Sequence, residues 1–216
     1  MNWFFNMLRT SIGKKWMMAL TGLGFVLFLC IHLIGNLTLY AGKDLFLSYV
    51  AHLHALDPLI RVAEIGLLFF AAVHVATGLT LFWQNWQARP VGYQMKKSGG
   101  GRTIGSRTMP YTGLVILGFV MVHLLQFHFI DHDPQAAVFQ AMTDTFAFLP
   151  YIFFYTAAVI VVAVHISHGF WSLFQTLGAN HPKYMPAIKG LGIIFSLLAA
   201  VGFGCIPVYV YVRFII

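Results

Sequence analysis

Five long apolar runs dominate this chain, at residues 16–40, 60–83, 110–129, 150–174 and 188–212. Each is close to or above the ~20 residues that a helix needs to cross the hydrocarbon core of a bilayer. In lipid every backbone N–H and C=O must be paired within the protein, which leaves only helices and closed barrels. The runs are continuous rather than alternating, so they read as helices and not as barrel strands. Composition agrees. Of 216 residues, 59% are hydrophobic and 9% charged, whereas a soluble domain carries about 25% charged residues. The expected fold is an all-α membrane protein, a single transmembrane domain over residues 1–216, with five spans of which the first four form a bundle. The first run is too long for a signal peptide, and no small-residue cleavage site follows it.

Charge orients the spans. The formal net charge is +7, but the bases are not spread evenly. Arg9, Lys14 and Lys15 precede the first span, Arg89, Lys96, Lys97, Arg102 and Arg107 lie between the second and third, and Lys183 and Lys189 between the fourth and fifth. The six acids (Asp44, Asp57, Glu64, Asp131, Asp133 and Asp144) fall on the opposite side. Basic loops stay cytoplasmic, so the N-terminus is expected inside and the C-terminus outside, in a multi-pass protein of the cell's inner membrane. The excess charge then serves orientation and anionic lipid or a cytoplasmic partner, not nucleic acid. Trp16, Tyr40, Trp83, Trp86, Tyr111 and Tyr151 sit near span ends, where amphipathic rings favour the headgroup zone.

Each of the first four spans also carries a histidine: His32, His74, His123 and His165. An imidazole in a lipid-spanning helix is costly and marks a site by default. With a rise of ~1.5 Å per residue, His32 lies ~24 Å past Trp16 and His123 ~20 Å past Pro110, both in the outer half. His74 and His165 lie ~14 Å before the inner ends of their spans at Trp83 and Phe174. Depth therefore pairs His32 with His123 and His74 with His165. Two imidazoles facing each other across a bundle suit the axial positions of a low-spin haem b, which transfers electrons with little rearrangement. Zinc would need four ligands at one level, which these depths do not supply. Two haem b groups are expected, an outer one with iron on His32 and His123 and an inner one with iron on His74 and His165. Thr21, Gly35, Ala71, Gly78, Ala158, Gly169 and Ser172 lie on the same helix faces. Such small residues admit a flat macrocycle or simply let helices pack closely. His168, one turn from His165, competes with it for the inner site, and depth does not separate the two. His52, His54, His128, His132 and His181 fall in loops or at span ends.

The remaining features are plainer. Residues 1–15 read as an amphipathic stretch along the inner surface. Residues 96–102, rich in glycine and bases, join two spans and read as a flexible linker within the loop 87–109. Cys30 and Cys205 lie inside spans without a CxxC or CxxCH motif, so they read as small buried hydrophobes rather than redox or haem-attachment groups. No internal repeat stands out. No soluble stretch is long enough for a nucleotide or flavin domain, so chemistry on a soluble substrate must sit on another subunit.

Several local strings carry a resemblance. They are Thr21-Gly22 leading to Ile31-His32-Leu33 and Asn36, Val73-His74 followed by Gly78, Val122-His123, and His165-Ile166-Ser167-His168-Gly169-Phe170-Trp171-Ser172 continuing to Phe174-Gln175-Thr176-Leu177-Gly178. With the five-span layout, they resemble the di-haem cytochrome b subunit of succinate dehydrogenases and fumarate reductases over nearly the whole chain. The resemblance implies His165 rather than His168 as the inner ligand. It also implies a flavoprotein subunit that interconverts succinate and fumarate, an iron–sulfur subunit that relays electrons, and exchange of those electrons with menaquinone or menaquinol in the membrane.

Quinone chemistry moves protons as well as electrons. Glu64, ~15 Å outward of His74 by helical rise, is the candidate proton-exchanging group. As an acid in the first turns of its helix it also suits the helix dipole, and Arg61 stands one turn away to pair with it. No Asp or Glu lies deep in a span, so the carboxylate proton path near the inner haem that some relatives of this class use is missing. Lys14, Arg102, Arg107, Lys183 and Lys189 are placed to meet propionates of the inner haem. The alternative reading is a cytochrome b anchor of another oxidoreductase, such as a hydrogenase or formate dehydrogenase. A haem-free transporter, which would favour broken helices and charged midplane sites, is a third.

Overall fold

The computed structural model describes residues 2–88, 103–129 and 134–216. Among the described residues no strand forms. In chain order the helices are α1 (Asn2–Arg9), α2 (Ser11–Leu37) with a 3₁₀ turn at Thr38–Ala41, α3 (Lys43–His54), α4 (Asp57–Gln87), α5 (Ile104–Phe127), α6 (Pro134–Ala147), α7 (Leu149–Thr176), α8 (Met185–Gly204) and α9 (Ile206–Val210), closed by a π turn at Tyr211–Ile215. Five segments are long and apolar enough to cross a membrane: α2 with its 3₁₀ turn, α4, α5, α7, and α8 with its continuation. The chain thus has the build of a multi-pass membrane protein. Their apolar faces stay open, as lipid-facing surfaces must; Leu68 and Phe153 are 71% and 73% exposed.

Helix ends differ from the apolar runs because capping, not hydropathy, sets them. Thr10 accepts from the Gly13 N–H and donates to the Met7 carbonyl, which fixes the corner between α1 and α2. Thr103 caps α5 by accepting from the Ser106 N–H. The third span therefore starts at Ile104, and Pro110 sits inside the helix rather than at its start. The fifth span is not one helix. α8 stops at Gly204 because Pro207 lacks the N–H that would bond the Phe203 carbonyl, and α9 resumes beyond Cys205.

Hydrogen bonds between helix ends fix the packing. Lys14 Nζ donates to Gln84 Oε1, joining the start of α2 to the end of α4. Thr103 bonds His168, joining the start of α5 to the end of α7. Tyr155 donates to Gln126 and Tyr40 to the Gly202 carbonyl, joining the far ends of α5 with α7 and α2 with α8. The four helices α2, α4, α5 and α7 form an antiparallel bundle, and α8 lies along α7 and touches α2. The tightest core is not in the bundle. It caps the end away from the N-terminus, where Leu39, Phe46, Val50, Phe139, Met142, Phe146, Ile152, Tyr155, Ile206 and Val210 cluster.

Two expectations are corrected here. The connections after the first and third spans contain α3 and α6, which build that cap. Cys30 is half-buried and Cys205 exposed, so neither is a buried hydrophobe. Beside the four-helix bundle, α8 packs closely along α7. Arg89, the linker 96–102, Asp131, His132 and Asp133 lie outside the described residues.

Candidate functional site

The bundle holds histidines at two levels. At the level nearer the cap, His32 on α2 and His123 on α5 have ring centres 6.0 Å apart, with planes at 84°. Two imidazoles joined through one metal ion, with bonds of about 2.0–2.1 Å, would place their ring centres roughly 6.4 Å apart. The observed ring-centre separation is close to that value. Nδ1 of His123 is buried and has no hydrogen-bond partner, and such an orphan in a native fold calls for a missing partner. Aromatic rings enclose the pair. Phe28 stacks on His32 at 5.2 Å, Phe119 and Phe127 lie 5.7 and 5.3 Å from His123, and Tyr155 lies 6.1 Å away. Phe203 of α8 completes the enclosure, 5.4 Å from His32. A four-span reading leaves that contribution out.

Nearer the N-terminal end stand His74 on α4 and His165 on α7, each bonded to a threonine of the neighbouring helix. Thr21 Oγ1 lies 2.9 Å from His74 Nδ1, and Thr112 Oγ1 lies 3.0 Å from His165 Nδ1. Each of these threonines precedes a glycine that faces the same ring. A Cβ built on Gly22 would sit 3.6 Å from Cε1 of His74, and one on Gly113 3.6 Å from Cε1 of His165. His168 is turned elsewhere. It bonds Thr103 at 3.3 Å, meets the Trp171 ring edge-on at 4.7 Å, and its Cβ presses on Gly105. The two histidines that depth left unresolved thus have different neighbours.

These contacts expose an internal repeat that the sequence reading missed. Thr21 and His74 are 53 residues apart, and so are Thr112 and His165. One constant offset also relates Gly22 to Gly113, Leu23 to Leu114, Phe28 to Phe119, His32 to His123, Ala72-Val73-His74 to Ala163-Val164-His165, Gly78 to Gly169, and Gln84 to Gln175. The α2–α4 hairpin and the α5–α7 hairpin run in the same sense, which makes this a parallel repeat about an axis along the bundle. Thr112 was not singled out from sequence, and Thr21 only for its size. The fixed spacing was the signal that could have found both.

The other site candidates divide. The space beside Gly35 is taken by the Tyr49 ring from α3, and Gly78 faces Met18. Gly169 has nothing within 4 Å of a built Cβ, while Thr21 and Ala158 are buried. Ala71 and Ser172 are half-buried. Glu64 does not pair with Arg61. Arg61 bonds Asp57 at 2.9 Å, and Glu64 Oε1 lies 3.7 Å from His128 Nδ1, both side chains 44% exposed. Lys14, with Arg9, Met17, Thr77 and Thr80, lines an open groove of about 260 Å³ beside α4. Lys189 lies over Trp171 at 4.8 Å and Lys183 over Tyr184 at 5.6 Å. Arg107 is exposed, and Arg102 lies outside the described residues. Among the described residues no three His, Cys, Asp or Glu side chains are grouped so as to hold a metal ion. Compared with known protein families, with characterised proteins and with solved structures, the chain matches none.

Proposed function

We propose that this chain is the membrane anchor and quinone-reactive di-haem cytochrome b subunit of a succinate dehydrogenase or fumarate reductase. The observation that carries the reading is the two-level arrangement: His32 with His123, and His74 with His165, across one antiparallel bundle. The family strings around the same four histidines support it. His32 and His123 would hold the outer haem and His74 and His165 the inner one. When bound, these groups supply two one-electron carriers in series across the apolar layer. The aromatic rings of Phe28, Phe119, Phe127, Tyr155 and Phe203 pack around the outer pair and would give its haem an apolar setting. The basic end, with Arg9, Lys14, Lys15, Arg107, Lys183 and Lys189, is assigned to the cytoplasm, where the iron–sulfur and flavoprotein subunits would dock. The flavoprotein would carry the dicarboxylate chemistry. Glu64, near the opposite end and open to solvent, would accept a proton from menaquinol and release it outside.

Spectroscopy of the purified full chain tests this. Two b-type centres are expected. His32→Ala and His123→Ala should each remove one of them, and His74→Ala and His165→Ala the other. Circular dichroism serves as the fold control, since loss of both centres with loss of helix means misfolding. A folded, colourless wild-type chain from iron-replete cells would end the proposal.

A further inference from the structure

We infer that Thr21 and Thr112 are matched positioning residues that set the tautomer of His74 and His165, so that each imidazole presents an unprotonated Nε2 to the inner metal. The inference rests on the haem reading above and concerns two hydrogen bonds that reading did not use.

A threonine hydroxyl has one proton and two acceptor positions. Thr21 Oγ1 gives its proton to the Met17 carbonyl at 2.7 Å, with the Met18 carbonyl at 3.3 Å. Toward His74 Nδ1, at 2.9 Å, the oxygen then accepts, and the Met18 carbonyl is a second acceptor in reach of the same ring. Nδ1 must therefore carry the hydrogen. A neutral imidazole holds one N–H, so Nε2 keeps its lone pair. The second half repeats the device. Thr112 Oγ1 shares its proton between the Thr108 and Met109 carbonyls, both at 3.1 Å, and accepts from His165 Nδ1 at 3.0 Å.

Both bonds run between helices, from α4 to α2 and from α7 to α5. They orient the rings as well as their protons. A metal-ligating histidine that donates its other N–H to an acceptor is a stronger donor to the metal, and second-hydrogen-bond changes of this kind tune redox potential. The arrangement belongs to one level only. At the other level Nδ1 of His123 has no partner. The outer centre therefore serves as an internal control.

The test uses membranes containing the full complex. Thr21→Val and Thr112→Val remove the acceptor at nearly constant volume, while Thr21→Ser and Thr112→Ser keep it. Redox titration and electron paramagnetic resonance follow both b-type centres. Each valine variant should move the midpoint of the centre that depends on His74 to more positive values and alter its low-spin signal. The outer centre should stay unchanged, and the serine variants should titrate as wild type. Selective loss of the inner centre in a valine variant, with retention in serine, supports the same assignment. Unchanged midpoints and signals in both valine variants overturn it, as does an equal shift of both centres or a serine variant that behaves like valine. Absence of haem from the wild type would show itself before any variant is made, and would strike the proposed function rather than this inference.

Discussion

On the proposed function Glu64 must reach water, and it does: it is 44% exposed on α4 and 3.7 Å from His128, just past the end of α5. Replacing it with Gln keeps its shape and removes its titration. Quinol oxidation by the complex should fall by about 10²–10⁴-fold, the usual worth of general acid–base catalysis. Both b-type centres should remain in the reduced spectrum. Arg61→Ala is the matched control and should leave turnover near wild type, because Arg61 is engaged by Asp57. Normal turnover in Glu64→Gln would remove this residue from the proton path. The acid itself was legible in the sequence because only six exist in the chain. Its neighbour was not. Asp57 and Glu64 are both within a helical turn of Arg61, and spacing alone does not choose between them. The favoured order, with the acid four residues before the base, decides for Asp57 and leaves Glu64 to face α5. A partner on another helix has no signature in local spacing.

At the level of the elements, the spans could be read from apolar length, but their ends and companions could not. α7 ends in a Schellman arrangement: Gly178 N–H bonds the Gln175 carbonyl and Ala179 N–H the Phe174 carbonyl, with Gly178 at φ +96°. That gives a structural reason for the glycine that follows Phe174-Gln175-Thr176-Leu177. α3 and α6 went unread because short helices of mixed polarity look like loops until their cap contacts are seen. The repeat is faint in sequence because most apolar positions differ between the two halves, while Thr, Gly, His and Gln positions, with a few apolar ones such as Phe28 and Phe119, hold their spacing. The α5–α7 contact offers a direct test. Gly105 is buried against α7, and a Cβ there would lie 2.6 Å from Cβ of His168. That neighbour is anchored to the backbone and cannot swing away. Gly105→Ala should therefore force the two helices apart and cost about 1–3 kcal/mol, as overpacking does. A lower thermal midpoint of the detergent-solubilised protein, followed by circular dichroism, checks it; Gly118→Ala, where a Cβ meets nothing within 4 Å, should be neutral.

For the whole molecule, the parallel repeat and the charge distribution bear on the same question, namely which end of the bundle meets the cytoplasm. Among the described residues, Arg9, Lys14, Lys15, Arg107, Lys183 and Lys189 gather at the N-terminal end, with Asp44, Asp57, Glu64 and Asp144 at the other. Lys43, Arg61 and Arg213 break the rule at the acidic end. Arg61 is neutralised by Asp57, and Lys43 lies over the Phe139 ring at 4.5 Å. In a parallel repeat both hairpins must insert in the same sense, so the basic loops of the two halves reinforce one orientation. Impermeant maleimide labelling reads that orientation directly. With Cys30 and Cys205 first changed to Ser, Ala55→Cys, between α3 and α4, should react in right-side-out vesicles. Ala179→Cys, beyond the end of α7, should react only in inverted or opened ones. The reverse pattern would put the basic end outside. It would also put His74 and His165, rather than His32 and His123, nearer the outside, and on the proposed function Glu64 would then release its proton to the cytoplasm.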